Sequence, residues 1–445
     1  MVRVRFLSVF VILVALVSPA AAELCTIDAV PAATILVPYF EVDLRNAGRG
    51  RFERTKITLI NTSPAPTVAH VILWTEHSFP TLNFDIFLTG FDVQEFDVDR
   101  LFTDFRFPVG GSFPDVDDFD FSECTVCRGG HCENISPGDD FTRRDLVAAH
   151  TGSSVDYYDG RCVARSSGRV ARGYITIDAA DECSRLYPFD DGYFESGGMG
   201  VATNDNILTA TITTYSNKFM REVPAFHIEA GLSNGLSTEG NYTFYGRYVG
   251  YDASDNRECG ATLWEIPYRK ENRFKTQAIV WRDSGSITEP HSCGSNPDWY
   301  PLGTSQLVIW DQQENSRELG GLPFPAETQL VSVGKRPLNS GSFDSGWAWF
   351  DLRTTVPSMS EDEIFGHGYV MARQRYRARE GDAPASQFTR NPDNPISTVC
   401  GGPVSEAVRF WAQQARKTKN AGKSSRPKKK RARVDPDLPR PRRPE

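Results

Sequence analysis

The amino-acid sequence predicts an all-β fold, built as one or more antiparallel β-sandwiches. Short stretches rich in β-branched and aromatic residues recur at roughly ten-residue spacing, with Gly, Pro, Asn and Asp clustered between them. No helical period of useful length competes in the body of the chain. Aromatic residues at 11% and hydrophobic residues at 40% suffice for a folded core, so the composition excludes a wholly disordered chain.

The predicted strands fall into two groups. The first group lies near the N-terminus and comprises residues 34–44, 56–61, 67–75, 83–88 and 92–98. The second group follows a long interval and comprises residues 174–178, 207–215, 225–230, 242–251, 277–281, 306–310, 347–352 and 369–376. We expect one β-sandwich region at 23–106 and a second β-rich region at 173–400, which could form one body with the first.

Residues 1–22 have the composition of a cleavable signal peptide. Arg3 and Arg5 precede a nearly unbroken apolar stretch, and Ala20–Ala22 offers the small residues that a signal peptidase requires. The apolar stretch is shorter than the roughly 20 residues of a membrane-spanning helix, and no later segment is long and apolar enough to be one. We therefore expect a protein that is secreted, periplasmic or held at the cell surface, without a transmembrane helix in the mature chain.

Export determines how the nine cysteines are interpreted, because all of them follow the predicted cleavage point. In an oxidising compartment they most simply form disulfides, and their odd number leaves at least one free or paired between molecules. The sequence does not determine the connectivity, and a local pair such as Cys259 with Cys293 is one option. The candidates are Cys25, Cys124, Cys127, Cys132, Cys162, Cys183, Cys259, Cys293 and Cys400.

Residues 107–172 differ from both groups of strands. They are rich in Gly, Asp and Ser and hold four of the nine cysteines, which predicts a long, irregular, Cys-rich loop excursion held by disulfides. Cys124, Cys127, His131 and Cys132 could instead bind zinc, because thiolate and imidazole are the ligands of tetrahedral zinc sites. Export favours disulfides over zinc at these positions.

Four carboxylates lie just before this cysteine cluster, at Asp115, Asp117, Asp118 and Asp120. Oxygen ligands at such spacing suit calcium, which is abundant outside cells. The run lacks the glycine turn and the distal glutamate of an EF-hand loop, so a solvated acidic loop is the preferred interpretation. We predict no cofactor, although calcium could bind here.

Enzyme motifs are weak throughout the chain. Asp-Ser-Gly sequences at Asp283 and Asp344 superficially match the aspartic-protease loop, in which two carboxylates share a proton. Asp344 does not follow an apolar strand, so we interpret both sequences as ordinary turns. No nucleophile elbow, zinc-protease motif, phosphate-binding loop or dinucleotide-binding motif is present.

Histidines offer one further combination. His227 and Glu229 would lie on the same face of a predicted strand and could form a metal site or an acid–base pair, with His70 and His77 as further partners. Because seven histidines are scattered over the chain, we expect most of them to be structural or exposed.

Tryptophan is frequent in the body of the protein. Flat aromatic platforms with acidic neighbours bind sugars in many secreted β domains, but large aromatic residues also fill sandwich cores. Trp347 and Trp349 alternate with Ala348 and should share one face, and we interpret the tryptophans as core residues. They are Trp74, Trp264, Trp281, Trp299, Trp310, Trp347 and Trp349.

The net charge of −8 conceals a strong asymmetry. Residues 416–445 contain thirteen Lys or Arg against three acidic residues, so this segment carries +10 and the rest of the chain −18. Within residues 401–445 we predict a short helix at 405–417 followed by a disordered basic tail. The tail could bind a polyanion or an anionic surface through salt-sensitive electrostatics, and the sequence does not decide between DNA, lipid and polysaccharide.

Several sequence blocks resemble a group of uncharacterised exported bacterial β-rich proteins. The blocks are Val37–Leu44, Thr58–Ser63, His70–Thr75, Pro80–Gln94, Arg172–Asp178, Tyr242–Gly250, Ile279–Asp283 and Trp299–Gly303. The resemblance covers residues 34–380 and does not include the basic tail. It implies a bacterial, exported protein, and since the group has no assigned activity, it assigns no functional residue.

The sequence therefore favours a non-enzymatic interaction module, secreted or surface-bound, because strands and cysteines are plentiful and enzyme motifs are absent. Two alternatives stay open. A secreted hydrolase acting on polysaccharide or protein would need two buried carboxylates facing one groove, roughly 5 to 10 Å apart. An extracellular calcium- or zinc-binding module would use the aspartate or cysteine clusters.

Overall fold

A computed structural model describes the fold of most of the chain, and these residues form mostly antiparallel β-sheets, which confirms the predicted β-rich class. The described residues are 30–44, 54–108, 126–127, 132–133, 141–216, 219–231, 243–249, 255–261, 263–270, 274–283, 289–295, 306–319, 326–335, 338–352, 354–355, 364–365, 367–376 and 386–388.

The strands and helices in these ranges alternate with short turns. The strands are β1 (Thr34–Asp43), β2 (Arg54–Asn61), β3 (Thr67–Thr75), β4 (Pro80–Leu88), β5 (Val93–Asp97), β6 (Val126–Cys127), β7 (Cys132–Glu133), β8 (Val170–Ala180), β9 (Leu208–Ser216), β10 (Phe219–Pro224), β11 (Phe226–Ile228), β12 (Leu263–Arg269), β13 (Phe274–Arg282), β14 (Leu307–Asp311), β15 (Ser316–Glu318), β16 (Thr328–Ser332), β17 (Ser345–Asp351), β18 (Thr354–Thr355), β19 (Ile364–Phe365), β20 (Gly368–Tyr376) and β21 (Ser386–Phe388). The α-helices are α1 (Val98–Thr103), α2 (Arg143–Thr151) and α3 (Gly246–Val249).

Four sheets organise these strands. Sheet I has the order β11-β1-β8-β3-β4, sheet II β10-β9-β2-β5, sheet III β12-β17-β14-β15 and sheet IV β16-β13-β20-β21. Two short pairs, β6 with β7 and β18 with β19, complete the described strands. Sheets I and II each combine strands from the first and second groups of the sequence, so strands far apart in the chain pair directly with one another.

Sheet I is buried on both faces, and alternate residues of its strands enter two different cores. Val71 and Leu73 on β3 join a core that also contains Ile57 and Leu59 of sheet II. The intervening residues, such as Trp74, join a second core with residues of sheets III and IV. Because neighbouring side chains of a strand point to opposite faces, burial on both sides leaves nearly every residue of β1, β3 and β4 buried.

A β-bulge in β1 changes which residues face each core. The register with β8 shifts between Val37 and Phe40, so β1 contains one extra residue at this point. Pro38 lies in the bulge, where a residue without an N–H group costs no regular ladder hydrogen bond. Leu36 before the bulge enters one core, whereas Phe40 after it enters the other. The bulge thereby reverses the alternation for the rest of the strand.

The irregular excursion predicted for 107–172 is wrong for part of its length. The segment contains α2, whose first turn is closed by reciprocal hydrogen bonds between Thr142 and Asp145 and which ends at Gly152 in the left-handed conformation. Leu146 and Ala149 bury one face of this helix in the core of sheets I and II. A helix this short offers little periodicity, so tertiary packing determines its formation.

The strand predicted at 242–251 is also wrong, because residues 246–249 form α3. The Asp255 carboxylate accepts hydrogen bonds from the Thr243 hydroxyl at 2.7 Å and the Tyr245 backbone N–H at 2.8 Å, which closes a turn before the helix. The aromatic residues that suggested a strand pack in the core of sheets III and IV instead, as Phe244 and Tyr245 do.

The suggested pair of Cys259 with Cys293 is wrong, because Cys293 forms a disulfide with Cys162, 131 residues away. The backbones of Cys162 and His291 form an isolated antiparallel bridge, which brings the two cysteines together. Cys183 and Cys259 each take part in a disulfide as well. The separation of two cysteines along the chain does not predict whether they pair, because the tertiary fold places these residues side by side.

Several predicted segments lie outside the described residues: the signal peptide at 1–22, residues 109–125, 128–131 and 134–140 of the Cys-rich excursion, and the helix and basic tail at 401–445. Within the described ranges, no helix combines the length and apolarity needed to cross a membrane.

Candidate functional site

A small cleft opens where sheets I, II and IV meet, and the space that it encloses is about 30 Å³. It is concave, has apolar walls and gathers a few polar side chains at one end, which are the usual features of a small-molecule site. Its lining residues are Pro38, Tyr39, Phe40, Glu41, Thr55, Ile212, Thr214, Val223, Ile279, Met371 and Arg373.

Three polar side chains of the cleft interact with one another. The Tyr39 hydroxyl donates a hydrogen bond to Glu41 Oε2 at 2.9 Å, and Arg373 Nη2 lies 3.5 Å from Glu41 Oε1. The Arg373 side chain is 3% exposed and that of Glu41 20%. Burial, together with the neighbouring Glu41 carboxylate, holds the pKa of Tyr39 well above its ordinary value, so the phenol stays protonated and acts as a donor.

The strands that carry these groups explain their placement. The bulge at Pro38 turns Tyr39 and Glu41 to the same side of β1, because they lie two residues apart after the shift of register. Arg373 and Met371 likewise share one face of β20, and Met371 lies opposite Ile279 of β13. The polar end of the cleft therefore joins sheet I to sheet IV.

Sheet II supplies the remaining wall. Ile212 and Val223 are paired positions on β9 and β10 and present an apolar surface, while Thr55 and Thr214 are paired on β2 and β9 and add hydroxyl groups. Among the described lining residues, Glu41 is the single carboxylate. One carboxylate, one guanidinium and one phenol can bind a ligand that carries both a positive and a negative group. They do not provide the two carboxylates of a hydrolytic acid–base pair.

A second polar group of residues, which we name the ionic cluster, consists of Arg247, Asp283, Glu327 and His367. Arg247 donates to both oxygens of Glu327, one of them at 2.6 Å from Nη1, and its Nε lies 3.2 Å from Asp283 Oδ1. His367 Nε2 lies 3.2 Å from Asp283 Oδ2, and His367 Nδ1 accepts a hydrogen bond from the Gly260 backbone N–H at 3.0 Å. Nδ1 is therefore the unprotonated nitrogen, and the Nε2 side of the ring faces the Asp283 carboxylate.

The ionic cluster is sealed from solvent. The side chains of Asp283, Glu327 and His367 are 0% exposed, and the Arg247 guanidinium packs over the rings of Tyr248 and Trp281. Burial raises the pKa of Glu327 to about 7 although Arg247 opposes this shift. None of these side chains lines the cleft, so the cluster joins α3 to sheet IV and does not present a reactive group to a ligand.

A third polar network lies between sheet I and the loops that cover it. Arg257 Nε lies 3.5 Å from Asp178 Oδ1, and Tyr193 and Tyr245 both donate to Asp178 Oδ2, at 2.5 and 2.9 Å. Asp255 lies 3.6 Å from Arg257 Nη1. These side chains are buried, and each buried charge lies beside one of the opposite sign.

His227 and His70, named above as possible partners, do not come together. His227 lies in the same cross-strand row as Ile35 and Ile177, which face the core of sheets I and II, whereas His70 faces the opposite side of sheet I. His70 Nδ1 pairs with Asp85 Oδ1 at 2.6 Å. His227 Nε2 accepts a backbone N–H, and burial lowers its pKa to about 4, so it is neutral. Both histidines are structural, as most were expected to be.

The remaining hydrolase and histidine candidates also lie apart. Asp283 belongs to the buried ionic cluster, whereas Asp344 is exposed just before β17, so the two Asp-Ser-Gly sequences form no catalytic pair. His77 packs against the ring of His291 at a centroid distance of 5.4 Å, next to the Cys162–Cys293 disulfide, and is remote in the fold from the His227 row.

The candidate metal ligands are largely outside the described residues. Cys124, His131 and the aspartates Asp115, Asp117, Asp118 and Asp120 fall there, and for Cys127 and Cys132 the structure describes only the backbone, where they are paired positions on β6 and β7. In the part of the chain that the structure describes, no three His, Cys, Asp or Glu side chains form a metal-binding group. Zinc and calcium binding at these residues are not tested and stay the less favoured alternatives to disulfides and a solvated acidic loop.

The tryptophans divide into two sets, and the core interpretation is wrong for one of them. Trp74, Trp264 and Trp281 are fully buried, as predicted. Trp310, Trp347 and Trp349 are half-buried on the outer face of sheet III, because Ala348 and Phe350 take the core side of β17. We name these three residues the tryptophan face. Trp299 lies outside the described residues.

Sequence reasoning did not find Tyr39, Glu41 or Arg373. The one local signal was Pro38 in the middle of a strand pattern, since proline inside a strand marks a bulge or an edge. Arg373 gave no signal, because its role depends on β20 lying beside β1, more than 300 residues earlier.

The chain matches no family model, no curated protein and no solved structure. The function of the cleft is therefore inferred from its geometry and chemistry.

Proposed function

We propose that the chain is an exported, non-enzymatic binding protein whose cleft holds a small zwitterionic ligand with an apolar part. The observation that carries this proposal is the Glu41–Arg373 pair at the end of an apolar cleft. An apolar amino acid or a short peptide has the matching chemistry: its carboxylate complements Arg373, its ammonium complements Glu41, and its side chain complements Ile212, Val223 and Ile279.

Binding is favoured over hydrolysis by the position of the acidic residues. Asp283 and Glu327, two carboxylates that share Arg247 as a partner, are sealed from solvent. A hydrolase needs such groups in contact with substrate. Glu41 meets a ligand but has a guanidinium and a phenol beside it, which fit recognition better than proton transfer.

The compartment and the architecture belong to the same proposal. The Cys162–Cys293 disulfide supports an oxidising, extracytoplasmic location, as the signal-peptide composition of residues 1–22 predicts. We also infer that the sheets pack as sandwiches. In support, Ala348 and Phe350 of sheet III share a core with Val280 and Val370 of sheet IV.

Titration of the full chain with L-leucine and L-phenylalanine, followed by ligand-observed NMR, tests this proposal. Leucine amide and N-acetyl-leucine are matched controls, since each lacks one of the two charges. We expect the zwitterions to bind and each control to bind at least about tenfold more weakly, because a lost charge-assisted hydrogen bond costs about 1.5–3 kcal/mol. R373M and E41Q should weaken zwitterion binding by a similar factor.

A panel of chromogenic glycoside, ester and peptide substrates tests the hydrolase alternative on the same preparations. We expect no turnover by the wild-type chain. Turnover that disappears in E327Q but persists in R373M would assign catalysis to the ionic cluster and overturn the proposal. Equal binding of leucine and its two controls would also overturn it.

A further inference from the structure

The tryptophan face provides a second surface, separate from the cleft. Trp310 and Trp347 are paired positions on β14 and β17, and their rings stack at a centroid distance of 3.8 Å with an interplanar angle of 6°. Trp349 lies 6.4 Å from Trp310, inclined by 59°. None of the three belongs to either core or packs against one as a partly buried residue.

Local backbone geometry holds these rings in place. Gly346, directly before Trp347, has a φ of 156°, and a Cβ atom there would lie 1.9 Å from the Trp310 carbonyl oxygen. Only glycine allows β14 to approach β17 this closely. The Tyr268 hydroxyl donates to the same Trp310 carbonyl at 3.0 Å from the core side. The aromatic surface is therefore fixed by the sheet beneath it and requires no ordering when a ligand binds.

Polar side chains border the aromatic surface in two cross-strand rows. One row contains Glu265, Trp349, Val308 and Glu318, so a carboxylate lies on each outer strand of sheet III. The strand spacing places the two carboxyl-bearing positions about 14 Å apart, and the second row, with Trp310 and Trp347, lies about 7 Å further along the strands. The second row ends in Ser316.

We propose that the tryptophan face binds a polysaccharide chain of neutral or amino sugars. Trp310 and Trp347 cover one face of each other, so the other ring faces and the ring of Trp349 are the surface that matches the apolar C–H faces of pyranose rings. The carboxylates and the Ser316 hydroxyl match the sugar hydroxyls at the ring edges. The 14 Å separation of Glu265 and Glu318 exceeds the width of one sugar ring, which favours an extended chain over a monosaccharide. The same carboxylates disfavour acidic polysaccharides by like-charge repulsion.

Binding of the full chain to insoluble cellulose and chitin, and its retardation in gels containing soluble neutral β-glucan or alginate, tests the proposal. We expect at least one neutral or N-acetylated polymer to retain the chain at both 0.1 and 1 M NaCl, because stacking on aromatic rings does not depend on ionic screening. Alginate should not retain it at 1 M NaCl. Tryptophan emission should shift on addition of soluble oligosaccharides of the retained polymer.

Variants assign the binding to this surface. W347A and W349A should each weaken retention at least about tenfold, the effect expected for an aromatic residue at the centre of a contact. F189A is the matched control, since Phe189 is an exposed aromatic residue (38%) outside the tryptophan face, and it should bind like the wild type. Melting temperatures identify any variant that fails to fold, and the fluorescence shift of the wild type tests the proposal without variants.

Four outcomes would overturn this inference. The wild-type chain could be retained by none of the polymers, or folded W347A/W349A could be retained equally well. Retention could disappear both in 1 M NaCl and after removal of residues 418–445, which would assign it to the basic tail. Finally, light scattering could find that the wild type is a dimer and that W347A/W349A is a monomer. A second copy of the chain would then be the occupant of this face.

Discussion

The ionic cluster and the cleft use the same kinds of side chain in different surroundings. Arg247 in the cluster and Arg373 in the cleft both have side chains that are 3% exposed, and each meets at least one carboxylate. Their partners differ, because Asp283 and Glu327 are 0% exposed whereas Glu41 is 20% exposed. A carboxylate that keeps part of its hydration can exchange that water for a ligand, whereas one that has lost all of it can only be satisfied by the protein.

The largest expected effect comes from removing the arginine of the ionic cluster. R247M leaves Asp283 and Glu327 buried without their shared cation, and breaking such a pair typically costs about 3–5 kcal/mol. We expect the free energy of unfolding, measured by urea denaturation at pH 8, to fall by about that amount. The loss should be smaller at pH 5, because Glu327 can take up a proton there. A loss equal to that of R373M would remove the distinction between the two sites.

The pH dependence of stability sharpens the comparison further. Burial raises the pKa of Glu327 to about 7 in the folded chain, against about 4.5 when unfolded. Between these values the folded state binds the extra proton, so the contribution of Glu327 is fully present below pH 4.5 and is lost as pH rises through 7. Urea denaturation of wild type and E327Q from pH 4.5 to 8 should show the wild type losing stability relative to the variant.

E41Q is the control for this experiment, because the Glu41 carboxylate that it removes is partly hydrated in the wild type. The difference in unfolding free energy between wild type and E41Q should change less over the same pH range than the difference for E327Q. A difference between wild type and E327Q that is constant with pH would contradict the raised pKa.

The smallest expected effect on stability is that of R373M. The Glu41 carboxylate it leaves behind can be solvated through the cleft, so we expect a loss of about 1 kcal/mol, in the range of partly exposed ion pairs. Zwitterion binding should nevertheless fall at least about tenfold. A variant that loses binding with little loss of stability would identify the cleft as a recognition site, whereas a loss of several kcal/mol would make Arg373 structural like Arg247.

Strand positions were predictable because burial leaves a local pattern. The prediction of 56–61 lies within β2, and that of 369–376 matches β20 to within one residue. The strands β10 and β12 were missed, since proline and charged residues interrupt their apolar pattern. α2 and α3 were missed because side-chain capping and packing, rather than periodicity, stabilise such short helices.

The candidate sites were less predictable than the strands. A single sequence shows that Trp347 and Trp349 share a face but not which face of the strand is covered, and the structure places Ala348 and Phe350 in the buried core. The Cys162–Cys293 disulfide and the Glu41–Arg373 pair each join residues more than 100 positions apart. No spacing rule reaches across such distances.

The sequence by itself determined the β-rich class, the positions of most strands, and the charge contrast between the acidic body and the basic C-terminal segment. These properties depend on residue type and on the two-residue period of a strand, both of which are local. The tertiary structure alone decided that sheet I is buried on both faces, that the bulge at Pro38 turns Glu41 towards Arg373, and that one set of tryptophans remains outside the core. Those outcomes depend on which sheets pack together, and burial decides whether a charged or aromatic side chain supports the fold or meets a ligand.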